Sequence, residues 1–375
     1  MLDNTTASVL FETLATGNGK QFAIATLNEE KTLNALSMEM VDLLYAQLLD
    51  WQQDDSIVAV MLQGAGQKAF CAGGDVQKLH QSAVEKPGGP CEYAESFFER
   101  EYRLDYLIHQ YQKPLICWGH GIVMGGGLGL MAGCKHRVVT ERTRMAMPEI
   151  TIALYPDVGG SWFLNRAPGR TGLYLALTAG SMNAADSLFV GYGDYFIQHE
   201  QKADVFAQLL ALNWSGTNDA ALVDGLLAEL AVANQDAMPA ANIEPHFDII
   251  QQLTDYATLP EIVTAITGHQ SEDKWLSKGA AALAHGSALS ACNIYQALAL
   301  TKNMSLAEVF QFELMLSTNV IRHPEFAEGV RALLIDKDQQ PRWLFDRVEN
   351  VPAALLAEMV NSPWPENPLS DLTSL

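Results

Sequence analysis

Apolar residues predominate in two seven-residue runs, 9–15 (VLFETLA) and 21–27 (QFAIATL), on either side of Gly17-Asn18-Gly19. Two such runs around a glycine-rich turn predict a β-hairpin. From Ser37, a residue suited to cap a helix, apolar side chains recur at Met40, Val41, Leu44, Leu48 and Trp51, the spacing of one helical face. Residues 57–62 read as a strand that runs into Gly64-Ala65-Gly66 and then a turn at 71–75, and a helix is expected over about 92–110. The pattern then recurs. A strand at 115–118 passes through Gly119, Gly121 and Gly125 to Gly127 into a helical 128–132, and a third strand follows at 137–140. Repeated strand, glycine turn and helix make an α/β organisation. From about 201 the pattern changes to Ala- and Leu-rich helical runs (203–212, 220–233, 306–320), with loops at 215–219 and 235–241 and no convincing strand. We therefore expect an α/β core over 1–200 and a mainly helical region over 201–375.

Composition narrows the classes of function. Of 375 residues 49% are hydrophobic, but the longest apolar runs, such as 122–130, are short and broken by glycine. A membrane span needs about 20 residues, so no membrane partner is expected. Residues 1–20 show neither a basic start with an apolar core nor an Arg-rich amphipathic pattern, which makes the cytoplasm the expected location. The five cysteines are odd in number, widely spaced and without a Cys-x-x-Cys pair, which argues against a disulfide framework and a structural zinc. With 23 basic against 44 acidic residues the net charge is -21. Such a field repels nucleic acid, and any polyanionic ligand needs a local basic patch.

Three motifs carry candidate chemistry. The first, Lys68-Ala69-Phe70-Cys71-Ala72-Gly73-Gly74-Asp75, follows a strand and opens a helix, where backbone N–H groups lack intrahelical partners. Free N–H groups of this kind stabilise a developing oxyanion, although an ordinary tight turn uses glycine in the same way. The second is Gly119-His120-Gly121-Ile122-Val123-Met124-Gly125-Gly126-Gly127-Leu128-Gly129-Leu130. Each glycine in a helix costs roughly 1 kcal/mol relative to alanine, so a cluster at a helix start suggests close approach of a ligand to the backbone. Gly127, Gly129 and Ala132 also fit the G-x-G-x-x-A spacing of a dinucleotide turn, but Glu141 comes only twelve residues after Gly129 where an acid about twenty on is wanted. The third motif runs from Met147 to Gly160, with Glu149 and Asp157 each directly after a proline. Proline rules out a regular helix across them, so both acids are expected on loop segments able to converge on a cleft. A lone loop acid is ordinarily solvated; two in a stretch almost free of other charge favour function.

Taken in order, AFCAGGD, GHGIVMGGGLGL, MPE, PDVGG and the late EGVRALLIDKD followed by Pro341-Arg342-Trp343 resemble the crotonase (enoyl-CoA hydratase/isomerase) superfamily, and within it the 3-hydroxyisobutyryl-CoA hydrolases. The likeness extends over nearly the whole chain. It implies a spiral of β-β-α repeats followed by helices, with oxyanion donors from the N–H groups of Gly74 and Gly126. It also implies a catalytic Glu149 with Asp157 nearby, Glu101 at the substrate pocket, and Lys68 and the backbone of Ala72 at the coenzyme A nucleotide. An acyl-CoA small molecule is the expected partner; neither cofactor nor metal is indicated, and a homo-oligomer stays open.

The reaction follows from one position. Hydratases of this superfamily carry a glutamate two residues after the glycine triplet, and here that position is Gly129. Adding water across a double bond needs both a base and an acid, whereas thioester hydrolysis needs one carboxylate and an oxyanion hole. Hydrolysis of a short branched 3-hydroxyacyl-CoA is therefore expected, 3-hydroxyisobutyryl-CoA of valine catabolism foremost. A hydratase or isomerase drawing its second acid from Asp157 is the alternative, and a non-catalytic acyl-CoA binder the second. No G-x-S-x-G elbow or H-E-x-x-H spacing supports a serine or metal hydrolase, and His120 reads as a packing residue. Phe310, Phe312 and Met315 read as core.

Overall fold

A computed structural model describes residues 7–374; the reading of 1–20 as leaderless falls partly on 1–6, outside the described residues. The hairpin forms where the apolar runs place it. Strands β1 (Val9–Ala15) and β2 (Gln21–Leu27) pair antiparallel, Val9 opposite Leu27 and Ala15 opposite Gln21. The helix Met38–Gln53 starts at Ser37, whose Oγ accepts from the Met40 N–H, and it buries Met40, Val41, Leu44, Leu48 and Trp51, the five positions its periodicity marks. Trp51 meets Phe11 of β1 edge-on, ring centroids 5.6 Å apart.

A strand pair then repeats three times. In each, a longer strand joins one sheet and a three-residue strand joins another: β3 (Ile57–Gly64) with β4 (Ala69–Cys71), β5 (Leu115–Gly119) with β6 (Ile122–Met124), and β7 (His136–Val139) with β8 (Arg144–Ala146). The large sheet has the order β1-β2-β3-β5-β7-β9, parallel from β2 onward, with β9 being Tyr195–Phe196; the small sheet has the order β4-β6-β8. Helix Val76–Glu85 follows the first pair, helix Gly126–Gly133 the second, and the short turn Glu149–Ile152 with helix Gly160–Leu164 the third. This is the expected β-β-α succession. The short strands correct the sequence reading, which took 71–75 and the glycines after 118 as turns alone. No strand follows Phe196 among the described residues, so the C-terminal region is helical as expected, although 235–237, expected as loop, forms a 3-10 turn.

The chain divides into two compact units that each draw on both sides of residue 200. The first takes the described residues of Met1–Gly74 with Leu104–Met145 and Met182–Glu244, and holds the large sheet. One core cluster packs Phe22, Ile24, Met61, Ile116 and Trp118 with Val205, Leu209 and Trp214, and the alternate strand residues Val60, Leu62, Leu115 and Cys117 are buried as well. The second takes Asp75–Arg103, Ala146–Ser181 and the described residues of Pro245–Leu375. Among the described residues no helix is long and apolar enough to cross a membrane. All five cysteines are buried free thiols.

Candidate active site

In the first unit the glycine motifs fold against each other. Gly73 takes a φ of 105°, a region open chiefly to glycine, and a Cβ there would lie 3.7 Å from the Gly126 nitrogen and 3.3 Å from the Met124 carbonyl oxygen. The Gly73 carbonyl accepts from the Leu36 N–H at 2.8 Å and the Ala72 N–H donates to the Leu33 carbonyl at 3.1 Å, so these ladder bonds stop short of the Gly74 N–H. Gly126 is the first residue of its helix; the bonds back to the Gly125 carbonyl come from Leu128 and Gly129, which leaves the Gly126 N–H ahead of the first intrahelical donor. Gly127 is fixed for a different reason, since a Cβ on it would stand 2.3 Å from the Cys71 carbonyl oxygen. Lys68 is exposed on the β3–β4 connection and forms no ion pair among the described residues. The Ala72 N–H is committed, and its carbonyl accepts no backbone hydrogen bond among the described residues. His120 is fully buried and neutral: its Nε2–H donates to the Gly66 carbonyl at 3.1 Å, its ring lies 4.6 Å from that of His199, and burial pushes it down to about 4. Glu141, the acid weighed for a dinucleotide ribose, instead accepts from the His199 N–H and pairs with Arg142.

The second unit gathers the acids. Pro148 caps the 3-10 turn Glu149–Ile152, closed by Ala153 at φ 56° and the Leu154 N–H bond to the Glu149 carbonyl, so Glu149 sits on a tight turn and not an open loop. Asp157 heads a second turn in which Val158 (φ 53°) and Gly159 (φ 84°) are both left-handed before helix Gly160–Leu164 begins. Neither acid is solvated, contrary to the ordinary fate of a loop carboxylate: Glu149 is 5% exposed, Asp157 4% and Glu101, on the helix Glu92–His109, 2%. Their charges reach one another. Burial first, and the Asp157 charge second, push Glu101 and Glu149 well above the usual carboxylate range, and burial raises Asp157 to about 6 against the opposing hydrogen bond from Tyr102. Glu149 Oε2 and Glu101 Oε1 are buried without a hydrogen-bond partner among the described residues, whereas Asp157 Oδ2 accepts from the Tyr102 hydroxyl at 2.6 Å. A buried acid oxygen without a partner can take a polar substrate group or a water.

Sequence reading missed the groups behind Asp157. The Tyr102 hydroxyl also lies 2.6 Å from Ser317 Oγ, and the Tyr155 hydroxyl lies 2.9 Å from the same oxygen while donating to the Glu313 carbonyl at 2.8 Å. Glu313 is completely buried; one carboxylate oxygen accepts from the Gly159 N–H at 2.7 Å and the other from the Ser161 N–H at 2.8 Å. The available signal was a lone acid in the otherwise apolar 312–316. The late EGVRALLIDKD motif is structural on its own account. Arg331 donates two bonds to Glu328 and one each to Asp336 and Asp338, and Gly329 leaves room for the backbone of Ile152, which a Cβ would meet at 2.7 Å. Among the described residues no group of His, Cys, Asp and Glu side chains is arranged to hold a metal ion.

Residues 22–360 match the family model described as enoyl-CoA hydratase/isomerase. The "3-hydroxyisobutyryl-CoA hydrolase, mitochondrial" of Danio rerio is 38% identical over 90% of this chain and 85% of its own length, and that of Homo sapiens is 36% identical over 85% and 81%. Among solved structures, a carnitinyl-CoA dehydratase from Mycobacterium thermoresistibile superposes with a TM-score of 0.83 at 31% identity, covering 96% of this chain and 98% of that one. An enoyl-CoA hydratase from Rhodobacter sphaeroides 2.4.1 gives 0.82 at 30%, covering 95% and 98%. With the repeated strand pairs, the paired glycine turns and a match over most of its length, the chain belongs to the enoyl-CoA hydratase/isomerase family.

Proposed function

We propose that this chain hydrolyses a short branched 3-hydroxyacyl-CoA, 3-hydroxyisobutyryl-CoA foremost, to the free acid and coenzyme A, a step of valine catabolism. The observation that carries the reading is at position 129, a glycine buried in the helix Gly126–Gly133, so that helix brings no carboxylate to a second proton transfer. In this proposal the N–H groups of Gly74 and Gly126 hold the oxyanion and Glu149, once ionised, attacks the thioester carbon. The C–S bond breaks, the thiolate leaves and takes a proton, and water opens the resulting anhydride to the acid. Asp157 and Glu101 border the acyl group, while Lys68 and the Ala72 carbonyl hold the nucleotide end. The names of the Danio rerio and Homo sapiens relatives support this choice. The names of the two solved structures favour the hydratase alternative. Against it, Asp157 already accepts the Tyr102 hydroxyl and is raised only to about 6, which suits a standing carboxylate better than a proton donor.

No cofactor takes part in this scheme, and nucleic acid and membrane have no place in it. We place the chain in the cytoplasm, although the relatives' names place those proteins in mitochondria, and fractionation of its source cells checks this. A homo-oligomer is checked by sedimentation. The function itself is tested with a panel of acyl-CoA thioesters, each assayed for free thiol and for double-bond hydration. Thiol release from 3-hydroxyisobutyryl-CoA is expected; hydration without thiol establishes the hydratase, and binding with neither reaction establishes a carrier. A single turnover in oxygen-18 water then leaves label in the Glu149 peptide if water opens the anhydride at that side chain.

A further inference from the structure

Helix Leu306–Arg322 is largely buried and presents Glu313 and Ser317 one turn apart on the same face. It is anchored at its start by a capping box, Ser305 accepting from the Glu308 N–H and Glu308 accepting from the Ser305 N–H. A buried carboxyl is expensive to ionise unless its bonds are met, and burial pushes Glu313 up to about 8 against the backbone N–H donors that favour its charged form. Here the Glu313 carboxylate meets two backbone N–H groups, those of Gly159 and Ser161, which flank the first residue of helix Gly160–Leu164. Those donors belong to the turn that carries Asp157, and the turn has a use for them: Val158 at φ 53° is a β-branched residue in the left-handed region, a conformation that persists only where its surroundings enforce it. The Gly160 N–H bond to the Asp157 carbonyl, at 2.6 Å, links the clamped end of the turn back to the acid.

A second path reaches the Asp157 side chain itself. The one hydroxyl proton of Tyr102 goes to Asp157 Oδ2, so at the 2.6 Å contact between Tyr102 and Ser317 the serine is the donor. Ser317 thereby fixes the direction of the Tyr102 hydroxyl, and Tyr155, bound to the Glu313 carbonyl and beside Ser317, closes the arrangement. The two N–H bonds to Glu313 hold the turn, and the directed Tyr102 hydroxyl gives the Asp157 carboxyl one orientation in place of several.

We propose that Glu313 and Ser317 are positioning residues for Asp157, Glu313 holding its turn and Ser317 aiming its hydrogen-bond donor. The inference rests on the hydrolase reading for what Asp157 then does, but the clamp itself is independent of it.

The test compares wild type with Glu313→Gln and Ser317→Ala, following thioester hydrolysis together with amide hydrogen exchange. In Glu313→Gln one N–H of the Gly159/Ser161 pair faces an amide donor in place of an acceptor. Misplacement of a group near the chemistry lowers kcat by up to about 100-fold, and KM for the acyl-CoA is expected to stay within about twofold. Exchange should accelerate at Gly159 and Ser161 while the helical amides of 306–322 keep their protection. Ser317→Ala removes one hydroxyl from a well-packed helix and serves if the first variant folds poorly; it should lower kcat with KM and melting temperature nearly unchanged. A role in packing alone predicts lower melting temperatures with wild-type kcat per folded molecule. That result, or unchanged exchange at 159–161 in Glu313→Gln, overturns the proposal. A wild type that releases no thiol from any acyl-CoA defeats the hydrolase reading instead, and the exchange data still decide whether Glu313 holds the turn.

Discussion

A carboxylate buried beside other carboxylates is costly to ionise, and Glu101 bears that cost visibly. Burial and the neighbouring Asp157 raise it well above 4.5, and Oε1 has no hydrogen-bond partner among the described residues. Between the unfolded and folded pKa values the native protein keeps a proton that the unfolded chain has released, so this group's contribution to stability is present below about 4.5 and is lost as pH rises toward the folded value. Glu101→Gln keeps the shape and removes the titration. Its melting temperature should match wild type near pH 4 and exceed it increasingly toward pH 8, while acyl-CoA turnover falls; thermal melts across that range check the trend, and a constant difference would mean that Glu101 is ionised in the native state. Asp157 acts on Glu149 in the same direction. Its negative charge helps raise Glu149, so Asp157→Asn should lower the Glu149 pKa. Whatever turnover survives should have its acid limb displaced to lower pH, read from kcat/KM against pH, and a displacement to higher pH would contradict the coupling.

Single elements show what was legible in the sequence and why. The hairpin and the helix Met38–Gln53 obey local rules, a glycine turn between apolar runs and a Ser cap before a 3.6-residue period, and both form where those rules place them. The strands β4, β6 and β8 have three residues each, too few to show a period, and their partners come from distant segments. Glu149 and Asp157 were legible because prolines interrupt the pattern around them; Glu313 and Ser317 were not, because a helix with Phe310, Leu314 and Leu316 reads as core whatever else it carries. Glycines separate the two kinds of information again. Gly329, in helix Pro324–Val330, lies against the Ile152 backbone, so Gly329→Ala forces that backbone aside and with it the turn that starts at Glu149. Overpacking of this sort costs about 1–3 kcal/mol, and both the urea midpoint and thiol release should fall. Gly225, in helix Asp219–Asn234, has open space within 4 Å of where a methyl group would stand, so Gly225→Ala should gain about 1 kcal/mol from helix propensity with turnover unchanged. Equal effects of the two substitutions would mean that helix propensity, and not close approach, decides the glycine at 329.

Over the whole molecule the net charge of -21 opposes a ligand that carries several phosphates, and its effect on coenzyme A binding depends on where the 23 basic groups remain unpaired. Many are spent internally. Arg137 is held by Asp194, Arg103 by Asp371, Arg322 by Glu95 and Arg331 by three acids. Lys68 stands exposed beside the first glycine motif with no such partner among the described residues, which is the arrangement a nucleotide phosphate requires in an otherwise repulsive field. If it serves that end of the ligand, its loss weakens ground state and transition state alike, so Lys68→Ala should raise KM and leave kcat close to wild type. The penalty should also depend on salt. At 0.01 M ionic strength charges are felt over roughly 30 Å and at 1 M over roughly 3 Å, so the ratio of variant to wild-type KM should shrink steadily between those limits. Wild-type KM itself should fall with moderate salt, because screening relieves the repulsion from the acidic surface before it removes the attraction of a lysine in direct contact with phosphate. An unchanged KM in Lys68→Ala at low salt would move the phosphate contact to another exposed cation, with Lys78, Lys337 and Arg342 the next to replace.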